Sequence, residues 1–518
     1  MKTRLPRNNS ALPSCDLSAD TPGSIWSGDV AILIYVALAT VVVHALTGGR
    51  YGFHRDELAT LDDARHLAWG YIAYPPITPF FGRISLILFG TSLSGFRFFA
   101  AVAQAGAVLL TGLMAREMGA RLSAQLLAVL AAIPACLGGG ALMQYVSFDY
   151  FFWVLAAYFM VRLLKSGDPL WWLGIGSAIG LGMMSKYTML FFASGIVGAV
   201  ILTDARRFLK SKWLWLGVGV SLLIFMPNFI WQMQHHFVSL DFLRTIHARD
   251  IRIGFTDYFV PHQIVLTLLA FPLWIAGFYF CMFSQNGRRY RALGWMFIVV
   301  LAIFLVVKAR GYYFAPIYPM LYAAGSVWGQ ERLASLRAQS ARTIRAIAWT
   351  VLALDIALAA AIALPVAPIN SGWGRFAIGI NHNFGDAIGW PELVQTLAQI
   401  RNSLPEAERG HAVVLAANYG EAGAVNLLGP QYGLPPVISG GNSFWVHGYG
   451  DPPPETVIVV GFSRSFVERN FSSCQLAAKI WNEFGVENEE TRDHPDIFVC
   501  RDLKQSWPDF WKTFQYFG

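Results

Sequence analysis

The feature that most constrains this chain is a succession of apolar runs, each close to the roughly 20 residues that an α-helix needs to cross a bilayer. They fall near 29–47, 95–115, 121–140, 148–164, 169–185, 187–203, 213–232, 262–284, 292–307, 311–329 and 346–364, which makes about eleven expected spans. With 55% of 518 residues hydrophobic and only 14% charged, no single water-soluble core can absorb so much apolar surface. The expected fold class is therefore an α-helical polytopic membrane protein. The stretch 169–203 is too long for one helix and carries Lys186 in its middle, so the chain is expected to turn there and keep the ammonium out of hydrocarbon. Gly174, Gly176, Gly180 and Gly182 have the small-residue spacing of a close helix–helix contact rather than of a phosphate loop.

Orientation follows from the basic residues. Residues 1–28 are polar and include Lys2, Arg4 and Arg7, while the apolar run that follows is too long for a signal-peptide core. This reads as a cytoplasmic tail and a retained first span. Arg116 and Arg121, Arg162 and Lys165, Arg206 to Lys212, Arg288 to Arg291, and Arg332 to Arg345 then occupy alternate connections, as the positive-inside rule requires. The formal charge of +7 is thus read as membrane orientation and not as a nucleic-acid surface.

An odd number of spans places everything after Leu364 outside. The expected organisation is a tail over 1–28, a transmembrane catalytic domain over 29–364 with its first external loop at 48–94, and a periplasmic α/β domain over 365–518. In the last of these, strand-like runs at 412–416, 456–461 and 496–500 flank a stretch around 464–483 that reads as helical. The five cysteines form no metal knuckle: Cys15, Cys136 and Cys281 are isolated, and Cys474 and Cys500 share the external region, where an oxidising compartment can join them.

The chemistry is expected on that outer face. Tyr51-Gly52-Phe53-His54-Arg55-Asp56-Glu57 follows the first span, and Leu58, Leu61, Ala64 and Leu67 then recur with helical spacing, as in an amphipathic helix lying on the membrane. Asp56 and Glu57 stand at its start, where a carboxylate can act as a general base or simply cap the helix. Asp149, in Ser147-Phe148-Asp149-Tyr150-Phe151, begins the fourth span, a depth at which an acid is costly unless it is used, paired or capping. Lys186, Lys308 and Arg310 fall at the outer boundary, where they can stabilise a phosphate or snorkel to lipid head groups. His235, His236, His247 and His262 lie in or beside the fourth external loop, but their spacing is not diagnostic of a metal. No metal ligands are assigned, and a divalent metal is left open as a cofactor.

At this point the residues resemble a known family. Arg55-Asp56-Glu57, Gly70-Tyr71 and Tyr74-Pro75-Pro76 look like the first external loop of the bacterial dolichyl-phosphate-mannose-protein-mannosyltransferase-like glycosyltransferases, membrane enzymes of the GT-C fold related to the lipid A aminoarabinose transferases. The resemblance continues through Ser185-Lys186-Tyr187-Thr188, Pro227-Asn228-Phe229-Ile230-Trp231-Gln232 and Lys308-Ala309-Arg310-Gly311-Tyr312-Tyr313. It implies Asp56 as catalytic base, Glu57 and Asp149 around the acceptor or the base, and Lys186, Arg310 and Lys308 at the donor phosphate. The aminoarabinose transferases carry a Glu-Lys pair later in the first loop, where this chain has Tyr74-Pro75-Pro76, so the resemblance does not extend to that activity. Asn418-Tyr419-Gly420-Glu421 and Ser439-Gly440-Gly441-Asn442 also look like parts of the C-terminal domain of some bacterial members.

The expected reaction is an inverting transfer of a hexosyl or pentosyl group from a polyprenyl-phosphate donor to a hydroxyl of lipid A, a surface glycan or a protein, at the periplasmic face of the inner membrane. Donor, acceptor and membrane lipids are the expected partners, and nucleic acid is not. The competing class is a polytopic transporter or flippase of lipid-linked sugars, which would favour broken helices at the midplane and paired halves; here the charges gather at one face and no internal repeat is visible.

Overall fold

The computed structural model describes residues 28–518; the tail, with Lys2, Arg4, Arg7 and Cys15, lies outside the described residues. Among the described residues, eight helices are long and apolar enough to cross a membrane: Gly28–Thr47, Phe98–Glu117, Leu122–Gly140, Tyr145–Ser166, Lys212–Gln234, Phe259–Phe283, Arg288–Val306 and Ala338–Ala363. The other three expected spans are helical but shorter, at Trp171–Met183, Met189–Leu202 and Tyr318–Ala334. Each apolar run therefore forms a helix, because a backbone in lipid can satisfy its polar groups only within its own segment. Exposed Leu, Ile, Val and Phe side chains line the outer helices, the inverse of a water-soluble surface.

The helix Trp171–Met183 packs along Lys212–Gln234. Gly176 lies against the backbone of Gly217, and Gly180 against that of Ser221, so a side chain at either would meet main-chain atoms. This is the close packing that the glycine spacing predicts. The chain turns between Met183 and Met189 as expected, but Lys186 is 8% exposed and points into the protein rather than to head groups.

The first external loop departs from the sequence expectation. The helix Arg55–Arg65 does not lie free on the membrane: Leu58, Leu61 and Ala64 are buried between the short apolar helix Ile77–Phe89 and the helix Tyr419–Leu428 of the C-terminal region. Gly423 sits against the Leu58 backbone, and only a residue without a side chain allows that approach. The apolar face was legible, but its partner is protein and not lipid.

The C-terminal region carries a sheet of four strands, β1 (Val413–Ala416), β2 (Thr456–Val460), β3 (Phe471–Lys479) and β4 (Asp496–Leu503), in the order β1-β2-β4-β3. β1 and β2 are parallel, and β4 runs antiparallel to both its neighbours. The stretch read as helical around 464–483 is a short helix, Arg464–Asn470, followed by β3. β3 is an edge strand, largely exposed, so it lacks the apolar alternation that marks the inner strands. Cys474 and Cys500 face each other across β3 and β4 and form a disulfide.

Candidate active site

The site is built around the start of the helix Arg55–Arg65. His54 caps it: its Nδ1 accepts from the Asp56 backbone N–H at 3.1 Å, and Glu57 reaches back to the His54 N–H at 2.9 Å, completing a capping box. Glu57 is fully buried. Its two oxygens take Arg97 Nε at 2.8 Å and Nη2 at 2.6 Å, and Oε1 also accepts from the Met143 N–H at 2.8 Å. Burial alone would raise the Glu57 carboxyl, but the Arg97 guanidinium and these donors hold it below the usual carboxylate range. Glu57 therefore acts inward, locking the helix start to the membrane region.

Asp56 faces the opposite way, with its side chain 35% exposed. Gln144 Nε2 donates to Oδ2 at 2.9 Å, and the Tyr419 hydroxyl donates to Oδ1 at 2.9 Å. Gln144 immediately precedes the span Tyr145–Ser166, whereas Tyr419 opens the helix Tyr419–Leu428, so the carboxylate is gripped from both regions of the chain. Two donors leave free lone pairs on both oxygens for a further proton donor. His54 lies beside it, Nδ1 3.9 Å from Asp56 Oδ2 and Nε2 3.7 Å from Asp386 Oδ2. Burial lowers the His54 imidazole, but Asp386 and Asp56 outweigh it and leave the ring more basic than usual.

Beyond Gln144, the next residue, Tyr145, leads to the cations. The Lys186 Nζ stands 5.0 Å from the Tyr145 ring centre and close against the face of Tyr313. It is buried and has no hydrogen-bond partner among the described residues. Arg310 also lies over the Tyr313 ring, 5.8 Å from its centre, and is held by Asp250 through Nε at 2.5 Å and Nη2 at 2.9 Å, with Nη1 on the Tyr312 hydroxyl. Asp149 is the buried acid near Lys186, accepting from Trp153 Nε1 at 3.0 Å and Thr188 Oγ1 at 2.7 Å. Lys308 is exposed, and its side chain makes no hydrogen bond, ion pair or cation–π contact among the described residues, so it does not join this cluster.

The motif residues around Pro227 play a supporting part. Asn228 donates to the Trp69 carbonyl at 2.9 Å and accepts from the Tyr187 hydroxyl; Gln232 donates to Tyr187 and to Ser239, whose hydroxyl donates to the Tyr71 carbonyl. This network ties the first loop to the residue beside Lys186. The four histidines considered as ligands do not converge: His235 stacks on Trp231, and the one grouping of potential metal donors among the described residues is Asp62, His66 and His447. Sequence reading misses Gln144, Tyr145, Arg97 and Asp250. Tyr313 and Tyr419 lie in motifs that it marks without giving them a role, and His54 in one that it marks only through its neighbours.

Comparison with known proteins gives this arrangement a setting. Residues 73–231 match the family model described as dolichyl-phosphate-mannose-protein mannosyltransferase, a segment that holds Gln144, Asp149 and Lys186 but not Asp56 or Arg310. No curated protein shows a significant sequence match. The crystal structure of ArnT from Cupriavidus metallidurans in the apo state is similar over 92% of this chain and 98% of that one, with a TM-score of 0.56 and 15% identity. The structure of the same protein bound to undecaprenyl phosphate gives a TM-score of 0.54 and 16% identity over the same shares. The Saccharomyces cerevisiae protein O-mannosyltransferase Pmt1-Pmt2 complex bound to the sugar donor matches over 40% of this chain and 34% of that one, with a TM-score of 0.32 and 17% identity. The chain has the GT-C fold of membrane glycosyltransferases, and the family resemblance read from its motifs stands.

Proposed function

We propose that this protein transfers a sugar from a polyprenyl-phosphate donor to an acceptor hydroxyl at the outer face of the bacterial inner membrane, with inversion at the anomeric carbon. The observation that carries the reading is one juxtaposition. A partly exposed Asp56 carboxylate is oriented by Tyr419 and by Gln144, whose neighbour Tyr145 flanks the buried Lys186 ammonium; Lys186 has no hydrogen-bond partner among the described residues and shares the Tyr313 ring with Arg310. An unpaired buried charge is expensive, and a phosphate anion is the group that would repay it. That an ArnT of the same fold binds undecaprenyl phosphate supports a lipid phosphate as the anion.

In this reaction Asp56 takes the proton of the acceptor hydroxyl, whose oxygen bonds to the anomeric carbon as the bond to the phosphate oxygen breaks. Lys186 and Arg310 stabilise the negative charge that gathers on the departing phosphate, so no general acid is needed. One base with a good leaving group suits single displacement, unlike the paired carboxylates of glycoside hydrolysis. Asp149 lies near Lys186 and Glu57 fixes the helix start, so both act by positioning. Tyr74 fills the first-loop place where aminoarabinose transferases carry their Glu-Lys pair, and its hydroxyl is bound to Asp63, which favours a different sugar. The region 365–518, with its disulfide, suits an oxidising periplasm, the N-terminus then lying in the cytoplasm.

The test compares wild-type and Asp56→Asn protein in membranes supplied with radiolabelled polyprenyl-phosphate sugars, with label followed into lipid, glycan and protein fractions. Transfer by wild type alone supports the reading and names the acceptor class; equal transfer by both proteins would refute Asp56 as the base.

A further inference from the structure

Away from the proposed phosphate-binding residues, at the far end of the helix Arg55–Arg65, three potential ligands converge. Asp62 and His66 are four residues apart and so share one face of the helix end, and His447 closes a short 3-10 turn, Asn442–His447, in the C-terminal region. His447 Nε2 is 3.4 Å and His66 Nδ1 is 3.5 Å from the same oxygen, Asp62 Oδ2. Both distances exceed those of an N–H···O hydrogen bond. They equal the edge of a small coordination tetrahedron, since metal–ligand bonds of about 2.0–2.1 Å set donor atoms about 3.3–3.4 Å apart. The donor atoms of the three residues all lie within 4.8 Å of one another.

The surroundings fit a ligand role. The other Asp62 oxygen, Oδ1, accepts from Asn426 Nδ2 at 2.8 Å, and Asn426 is itself fixed by the Val437 N–H at 3.0 Å, so Oδ2 is left turned towards the two imidazoles. A ligating carboxylate held in place by such an outer hydrogen bond, here from Asn426, is the usual arrangement at a metal site. His66 Nδ1 also stands 3.0 Å from the Asp62 carbonyl oxygen, so without a cation the ring bonds back to its own helix. Asp62 is buried, whereas the two histidine side chains are 55% and 35% exposed, which gives an ion a route from solvent.

We propose that Asp62, His66 and His447 form a divalent transition-metal site, with Zn2+ as the ion its chemistry favours, that clamps the Asp56 helix to the C-terminal region. Two imidazoles and one carboxylate suit Zn2+ far better than Mg2+ or Ca2+, which take oxygen ligands. Three protein ligands leave the fourth position to water. The site does not depend on the sugar-transfer reading, because none of its residues touches Asp56, Lys186 or Arg310.

The test uses full-length protein purified without a histidine tag, stripped with a chelator and titrated with Zn2+ alone, with Co2+ as a spectroscopic substitute. One Zn2+ per chain is expected, together with the intense visible absorption of tetrahedral Co2+ and a raised melting temperature on Zn2+ addition. His66→Ala and His447→Ala should each weaken binding at least about tenfold, whereas His235→Ala should leave it unchanged. Absence of stoichiometric binding would overturn the site, as would equal affinity in wild type and both single variants; the trio would then be an ion pair only.

Discussion

The Tyr419 hydroxyl donates to Asp56 Oδ1 across 363 positions of sequence, so the proposed base is oriented in part by the C-terminal region. The same ring lies against Arg55, whose guanidinium is 5.1 Å from its centre and pairs with Glu489. Tyr419→Phe keeps the ring and removes one hydrogen bond to a charged group. A bond of this kind contributes about 1.5–3 kcal/mol. Transfer should fall about 10- to 100-fold in kcat with little change in KM for the donor, measured as initial rates of label transfer. An unchanged kcat would show that Gln144 alone orients the carboxylate.

Glu57 and Arg97 form a buried pair that joins the start of the Asp56 helix to the membrane region. Glu57→Ala would strand the Arg97 guanidinium in a dry site, and breaking such a pair costs about 3–5 kcal/mol. The expected outcome is a lower melting temperature in detergent and poor recovery of monodisperse protein. A variant that melts like wild type yet transfers no sugar would instead give Glu57 a direct part in the chemistry.

How much of this was legible in the sequence depended on the range of the forces involved. The spans were legible because lipid acts on every residue of a helix, and Lys186 marked its turn because a charge tells wherever it stands. Asp56 stood out as a candidate through its motif, which no local pattern of hydropathy would have given. Tyr419 and Asn426 were not assignable, because their partners lie more than 300 residues away and no local pattern encodes the meeting. The helix Arg55–Arg65 shows the limit plainly: Leu58, Leu61 and Ala64 declare an apolar face but cannot say whether lipid or protein covers it.

Glu421 offers a pH-dependent signature of the C-terminal region. It is buried, accepts from the Ala417 and Asn418 N–H groups, and leaves Oε1 without a partner. Burial, reinforced by Glu490 nearby, pushes its carboxyl up to about 8. The folded state therefore holds a proton that the unfolded chain releases near the ordinary glutamate value, and stability should fall as pH rises towards 8. One such proton gives a slope of at most ~1.4 kcal/mol per pH unit. Glu421→Gln keeps the cap and removes the titration, so it should flatten melting temperature against pH between about 4.5 and 8. A slope equal to that of wild type would place the titrating group elsewhere, with Asp63, raised to about 7 by its own burial, the next candidate.

Lys186 separates function from stability most sharply. Its ammonium is buried against Tyr145 and Tyr313 with no hydrogen-bond acceptor among the described residues, while the nearby Asp149 is already satisfied by Thr188 and Trp153. If the cation is retained for the donor phosphate, it burdens the empty protein. Lys186→Met, close in volume and uncharged, should then raise the melting temperature while lowering transfer about 100- to 1000-fold, the usual cost of losing a group that stabilises developing negative charge. Added polyprenyl phosphate should stabilise wild type and not the variant, since only a ligand that binds the folded state shifts its melting. The opposite pattern, a variant that melts earlier and still gains stability from the lipid phosphate, would make Lys186 a structural partner of Asp149 and leave Arg310 as the phosphate cation.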